Sequence, residues 1–242
     1  MPARRIISLV PSQTELLYDL GLDSEVIGIT KFCIHPEIWS HTKAIVGGTK
    51  NVKLDVVGSL KPDLIIANKE ENTKGDVETL MKNYPVYVSD VGSIDSAYAM
   101  MTRIGELTGK DASAIIGDIK SSFSSLTGFD IKRALYLIWR KPWMTVGKDT
   151  FISEMMKVAG FENIIDDTRY PSLTDDQIKA LKPEVVLLSS EPYPFKEEHI
   201  DEVKKMLPDA KVVLVDGEMF SWYGSRMMRM ADYYKELRST FF

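Results

Sequence analysis

The sequence has little of what most chemistry requires: one cysteine, three histidines and no apolar run long enough to span a bilayer in 242 residues. A single cysteine, Cys33, excludes an internal disulfide. Without about 18 consecutive apolar residues there is no transmembrane helix, so no membrane insertion is expected. No GxGxxG, GxxxxGK[ST], GxSxG, HExxH or CxxC pattern occurs, which leaves the common dinucleotide, phosphate, acyl-transfer, zinc-peptidase and redox motifs unrepresented. Gly147-Lys148-Asp149-Thr150 lacks the upstream glycine of a phosphate loop and reads as a helix start. Cys33, His35, Glu37 and His41 have the chemistry of zinc ligands, yet Pro36 and their irregular spacing read as a surface loop, and no metal ligand is assigned. His199, inside the charged run Lys196–Glu202, reads as part of a solvated helix face. The 30 basic and 35 acidic residues, net −5, are interspersed. No basic patch marks a nucleic-acid or anionic-membrane partner. Met1–Arg5 lead straight into an apolar run with no leader pattern. The expected compartment is cytoplasmic for a chain complete as written, and periplasmic if a leader was removed.

What is present is a repeat. Leu60-Lys61-Pro62-Asp63-Leu64-Ile65-Ile66-Ala67 returns as Leu181-Lys182-Pro183-Glu184-Val185-Val186-Leu187-Leu188. Proline disfavours the helical conformation of the residue before it, so a helix should stop at Lys61 and again at Lys182, each followed by a buried parallel strand. The pattern extends upstream. Arg5–Val10 and Ala134–Trp139 are strand-like. Ser12 with Glu15 has the spacing of a capping box, Asp149 or Thr150 can cap the matching helix, and Gly21 and Gly160 stand past the two helix ends. A grammar repeated once per half points to two similar lobes.

Between the halves, Ala97, Met100, Met101, Ile104, Leu107, Ile115, Ile116, Ile119 and Phe123 recur at helical spacing. They predict one long helical region, with Gly109 marking a place for a break. The expected architecture is α/β: an N-terminal lobe over 1–92, a connecting backbone helix over 93–127 and a C-terminal lobe over 128–242. Each lobe is a mostly parallel sheet flanked by helices. At 44% hydrophobic and 27% charged, such a chain buries roughly 70–75% of its unfolded surface.

Arg5–Glu15, Val26–Gly28, Leu60–Ile66, Met144–Gly147, Ala159–Ile164 and Leu181–Glu184 resemble the cobalamin- and ferric-siderophore-binding proteins of ABC importers. The resemblance covers nearly the whole chain in order. It implies two α/β lobes bridged by a long helix and a monomer with no cofactor of its own. The implied activity is non-enzymatic binding of a metal chelate (iron siderophore, cobalamin or haem) between the lobes, for delivery to an ABC permease. Ligand contacts are expected on loops at the C-terminal ends of the strands. These supply Ser12, Gln13, Phe32, Lys50, Asn68 and Lys69 in the first lobe. In the second they supply Trp139, Arg140, Trp143, Arg169, Tyr170, Tyr193, Phe220, Trp222 and Tyr223. Rings can cover a planar apolar ligand face while Arg and Lys meet its anionic groups. On this reading Trp143→Ala and Arg140→Ala weaken binding with folding nearly intact. The chain departs from the family where cobalamin-binding relatives carry tryptophans, here Asn68 and Met219. It departs again where they carry permease-docking glutamates, here Lys74 and Ser221, with Glu70 or Glu71 as a substitute. The alternatives are an intracellular chelate sensor or carrier, an enzyme acting on a tetrapyrrole or chelate through His35 or His41, and a binder of another anionic aromatic metabolite.

Overall fold

A computed structural model describes residues 1–241. The chain forms two compact units. The first comprises residues 1–91, 95–119 and 223–226, and the second residues 92–94, 120–222 and 227 onward. This partition is discontinuous. Most of the segment expected to be a separate connector belongs to the first unit, as does a four-residue return within the C-terminal half.

In the first unit the chain runs β1 (Ile6–Ser8), α1 (Pro11–Asp19), β2 (Val26–Ile29), α2 (Glu37–Thr42), β3 (Ala44–Ile45), β4 (Gly47–Gly48), β5 (Asn51–Val52), α3 (Leu54–Leu60), β6 (Leu64–Asn68), α4 (Lys74–Met81) and β7 (Val86–Ser89). Its sheet has the order β3-β2-β1-β6-β7, with every pair parallel. β6 is buried at all five positions, as a central parallel strand covered on both faces must be.

Two helices follow, α5 (Ile94–Thr108) and α6 (Ser113–Ser124). The single long helix expected over 93–127 is therefore interrupted, and the cause is local. Gly109 adopts φ +70°, and the Lys110 amide turns back to the Gly105 carbonyl at 2.9 Å. That bond is the six-to-one closure of a Schellman end. Asp111 then accepts from the Ser113 amide at 2.8 Å and starts the next helix.

The second unit continues with β8 (Lys132–Trp139), β9 (Trp143–Thr145), α7 (Phe151–Val158), β10 (Phe161–Asn163), β11 (Ser172–Leu173), α8 (Asp175–Leu181), β12 (Val185–Ser189), α9 (Glu197–Met206), β13 (Lys211–Val215), α10 (Glu218–Ser221) and α11 (Met227–Ser239). Its parallel core runs β10-β8-β12-β13. The order matches β2-β1-β6-β7 of the first unit strand for strand. The difference is the pair β9 and β11, added antiparallel beside the far half of β8.

The repeated Leu-Lys-Pro-acid segment has the same construction in both units. α3 stops at Leu60 and α8 at Leu181, and Lys61 and Lys182 close them in the left-handed region at φ 47° and 46°. The acid then reaches the strand beside it. Asp63 accepts from the Arg4 and Arg5 amides at 2.9 and 2.8 Å, and Glu184 from the Arg133 amide at 2.8 Å. Arg5 and Arg133 return the contact. Arg5 donates to the Leu60 and Lys61 carbonyls, and Arg133 to those of Leu181 and Lys182, so each arginine satisfies carbonyls left over at a helix C-terminus. A left-handed non-glycine residue costs about 1 kcal/mol. Lys61→Gly and Lys182→Gly should therefore each raise stability by up to about 1 kcal/mol, less the extra entropy glycine brings to the unfolded chain, read as a higher Tm. A lower Tm in both variants would show that the lysine side chains matter there.

Other sequence expectations are revised. Ser12 is not the cap of α1: the N-cap is Val10 with no side-chain bond, Pro11 fills the first turn, and Glu15 pairs elsewhere. Thr150 does cap α7, accepting from the Ser153 amide at 3.2 Å. Gly147 serves packing, since a Cβ there would lie 2.4 Å from the Asp167 carbonyl oxygen and 2.6 Å from the Thr168 carbonyl carbon. Among the described residues no helix is long and apolar enough to cross a membrane.

Candidate functional site

In the first unit the C-terminal strand ends are knitted together by polar side chains. Gln13, completely buried, donates its amide to Ser89 Oγ at 2.5 Å. Asn68 donates to the Ser89 carbonyl and hydroxyl at 3.0 and 3.1 Å, and its Oδ1 accepts the Glu70 and Glu71 amides at 2.8 and 3.1 Å. The ends of β6 and β7 and the start of α1 are thus fixed to one another, and Gln13 and Asn68 are framework where a ligand contact was expected. Ser12 and Tyr223 are also buried, and burial pushes the Tyr223 hydroxyl's pKa well up. What projects is a different set. Phe32 is 50% exposed with the Lys31 ammonium 5.0 Å from its ring. Lys50 donates to the Glu70 carbonyl, and Lys69 pairs with Asp90 at 2.6 Å.

Cys33 lies beneath this surface. It is buried, within hydrogen-bonding distance of the Thr14 and Thr30 hydroxyls at 3.1 and 3.2 Å, and burial holds its thiol up. Its neighbours in sequence do not gather around it: among the described residues no three or more His, Cys, Asp and Glu side chains are grouped to hold a metal ion.

The second unit presents an aromatic and cationic face at the ends of β8 and β12. Trp139, the last residue of β8, is 39% exposed, and its ring meets Tyr193 edge-on at 5.6 Å. Arg169 lies 5.9 Å from the Tyr170 ring in a left-handed turn, its amide bonded to Asp149 at 2.5 Å. Arg140 is less available than the sequence implied. Its guanidinium grips Glu202 with two bonds of 2.6 Å and sits 5.7 Å from the Trp143 ring. The arginine holds the Glu202 carboxyl below its ordinary range. A depressed folded-state pKa adds stability above the unfolded value of 4.5 that is lost as pH falls through the lower folded value. Arg140→Ala should flatten the acid limb of stability below about pH 4.5 while costing under about 1 kcal/mol at neutral pH, because the pair is partly solvated. An unchanged acid limb in a pH series of urea unfolding would refute this.

Two of the expected contacts are core. Trp143 is buried, stacks nearly parallel on Phe195 at 6.3 Å and donates its indole N–H to Asp175 at 2.8 Å. Phe220 is fully buried against Tyr136 and Tyr234, each at 5.2 Å. Both point inward because their elements, β9 and α10, need an apolar side to attach to the unit.

Three residues that the sequence left unassigned organise this face. Glu191 Oε1 accepts from both Ser221 Oγ at 2.7 Å and Trp222 Nε1 at 3.0 Å, tying the loop after β12 to the end of α10. Burial raises its pKa, with Glu218 and Asp216 adding to the effect and the two bonds opposing it. Glu202 holds Arg140. His199 is buried, against the expectation of a solvated position. Its Nδ1 accepts the Lys196 amide at 2.8 Å and its Nε2 meets Tyr193 Oη at 3.1 Å. The signal available in sequence was slight: His199 stands three residues past the start of a helix that follows an apolar residue, Phe195, the position whose side chain can reach back to the cap.

An uncharacterized ABC transporter substrate-binding lipoprotein of Bacillus subtilis is 30% identical over 199 residues, a match spanning 76% of this chain and 63% of the lipoprotein. A vitamin B12-binding protein of Vibrio campbellii is 28% identical over 200 residues, covering 78% of this chain and 71% of the relative. Among solved structures, a possible iron-binding, periplasmic solute-binding protein of Staphylococcus epidermidis aligns over 100% of both chains with a TM-score of 0.83 at 23% identity. A periplasmic haem-binding protein of Pseudomonas aeruginosa aligns over 99% of this chain and 92% of its own with the same TM-score at 17% identity. At those identities the structures speak to the fold. Residues 6–210 match the periplasmic binding protein family, and the chain belongs to that family.

Proposed function

We propose that this protein is a non-enzymatic receptor for a metal chelate, of the class of ferric siderophore, haem or cobalamin, and hands it to an ABC-type permease outside the cytoplasm. The observation that carries the reading is the face at the ends of β8 and β12. There Trp139 is exposed at a strand end with Tyr193 set against it; Arg169 and Tyr170 form a ring–cation pair on the turn before β11. Exposed rings at parallel-strand ends match a ligand with a flat apolar face, and adjacent cations match carboxylate, phosphate or catecholate groups at its edge. Vitamin B12 and haem, the ligands that a relative and a structural neighbour are named for, fit that description. In the first unit Phe32, Lys50 and Lys69 project from loops. The ligand is brought in by the surrounding medium, and the protein contributes recognition only.

A thermal-shift panel tests this with protein freed of carried-over ligand, using haemin, cyanocobalamin and a ferric trihydroxamate. A chelate at 100 times its Kd should stabilise the fold by about 2.7 kcal/mol. Trp139→Ala should weaken that response about tenfold, or about 1.4 kcal/mol, with the unliganded Tm nearly unchanged. No response to any chelate sinks the reading. A response to free iron or cobalt ions alone would sink it as well.

A further inference from the structure

Glu191 has one oxygen engaged and one open. Its Oε1 accepts from Ser221 Oγ at 2.7 Å and from Trp222 Nε1 at 3.0 Å. Its Oε2 accepts from no described residue and is open to solvent. Among the described residues no lysine or arginine pairs with this carboxylate. The stem of the side chain is clamped as well. Ser189 Oγ donates to the Glu191 carbonyl at 2.5 Å. Gly217 packs so close that a Cβ on it would stand 2.5 Å from Glu191 Cγ, and its amide donates to Ser190 Oγ at 2.9 Å. A carboxylate pinned through one oxygen presents the other in a fixed direction, so little ordering cost remains when a ligand meets it.

The surroundings decide what that open oxygen can meet. Asp216 and Glu218 flank Gly217 in the chain, and Asp216 Oδ1 accepts the Glu218 amide at 3.0 Å, so three acids share this corner. A carboxylate or phosphate brought here is repelled, whereas an N–H donor or a cation is attracted. The corner is also within reach of the rings. Trp139 ends β8, Glu191 follows β12 and Gly217 follows β13, on three neighbouring strands about 4.8 Å apart. A flat ligand resting on Trp139 and Tyr193 brings its rim to Glu191 by extending about 5–10 Å across the sheet.

We propose that Glu191 is a specificity-determining acceptor, whose open oxygen selects chelates carrying an N–H donor or an ammonium group on their rim over chelates rimmed there by carboxylates. This rests on the reading of the face as a chelate site. The ligand class narrows accordingly to chelates with peripheral primary amides or a free amine. Ser221 and Trp222 act as positioning residues, because their two donors fix which oxygen of Glu191 faces out.

The test uses matched pairs of probes. Cyanocobalamin is titrated beside its monocarboxylic acids, in each of which one peripheral amide is hydrolysed. Ferrioxamine B, which bears a free ammonium group, is titrated beside its N-acetylated form, and haemin serves as a chelate whose polar rim is carboxylate alone. In whichever pair wild type binds, the parent should bind about tenfold or more tighter than the altered member, for cyanocobalamin at least one of its acids. Glu191→Gln then assigns the effect. Trp222 Nε1 can only donate, so the Gln carbonyl stays on it and the amide nitrogen replaces Oε2. The variant should keep the wild-type Tm and lose most of the discrimination within the pair, with Kd taken where both proteins are folded. Equal affinity within the pair in wild type, or haemin bound tighter than every donor-bearing probe, overturns the inference and leaves the chelate reading intact. Discrimination undiminished in Glu191→Gln also overturns it. If wild type binds none of the probes, haemin included, the chelate reading falls and this inference with it.

Discussion

Arg226→Leu should destabilise the protein by about 3–5 kcal/mol. Arg226 and Glu15 are 211 residues apart in sequence, yet the guanidinium grips the carboxylate with bonds of 2.7 and 2.9 Å. Both side chains are close to fully buried, at 5% and 6% exposure. Removing the arginine strips a buried carboxylate of its two-bond partner, and that loss dominates the cost. The pair attaches residues 223–226 to α1, and Gly224 permits the approach. At φ +112°, a Cβ on it would lie 3.3 Å from the Ser12 carbonyl oxygen. The contrast is the double variant Glu15→Leu/Arg226→Met, which removes both charges and should recover most of the loss, since an apolar pair of similar volume has no desolvation penalty to offset. Urea unfolding of the three proteins checks this. A loss below about 1 kcal/mol in Arg226→Leu would mean the pair is solvated.

Trp143→Ala should cost about 3–5 kcal/mol and report on folding before it reports on ligand. The indole belongs to a core cluster with Leu135, Leu137, Ile165, Val186 and Phe195. It is stacked on Phe195 and hydrogen-bonded to Asp175 in the first turn of α8. Alanine would leave a cavity of ring size under β9 and strand the Asp175 contact. Trp143→Phe keeps much of the volume and should cost roughly half as much, the remainder being the lost indole bond, about 1–2 kcal/mol. The measurement is again equilibrium unfolding, with chelate affinity taken under conditions where the variant is fully folded. An alanine variant of near wild-type stability but impaired binding would restore Trp143 to the ligand surface. Trp139→Ala is the counterpart: at 39% exposure it should change affinity with little change in stability.

The two tryptophans show where sequence reading stops. Trp139 ends an apolar run and Trp143 stands just past Arg140-Lys141-Pro142, and nothing in composition says which of the two is buried. The turn over residues 140–142 decides their fates: β9 folds back antiparallel on β8 with a register shift between Leu137 and Trp139, so one ring stays outside and the other is carried under the sheet. His199 is a similar case. A histidine in Lys-Glu-Glu-His-Ile-Asp-Glu looks solvated by its company, but α9 turns that position toward Phe195 and Tyr193.

Other features were legible because their causes are local. Lys61 and Lys182 end helices because proline forbids the helical conformation to its predecessor, and the apolar runs after them form buried strands because no polar residue interrupts them. Gly109 breaks the long helical segment because glycine adopts a left-handed turn freely. Two occurrences of one local grammar were enough to give two units with the same strand order. The sequence by itself therefore determined the family, the two-fold repeat and the parallel sheets. Only the tertiary structure decided which loop side chains face outward. It alone disclosed that Gln13, Asn68, Trp143 and Phe220 are framework, that Arg140 is engaged by Glu202, and that Glu15 is matched to Arg226. The physical reason is range. Propensity and backbone strain act within a few residues, whereas burial and charge pairing depend on partners between 21 and 211 positions away, which no local pattern encodes.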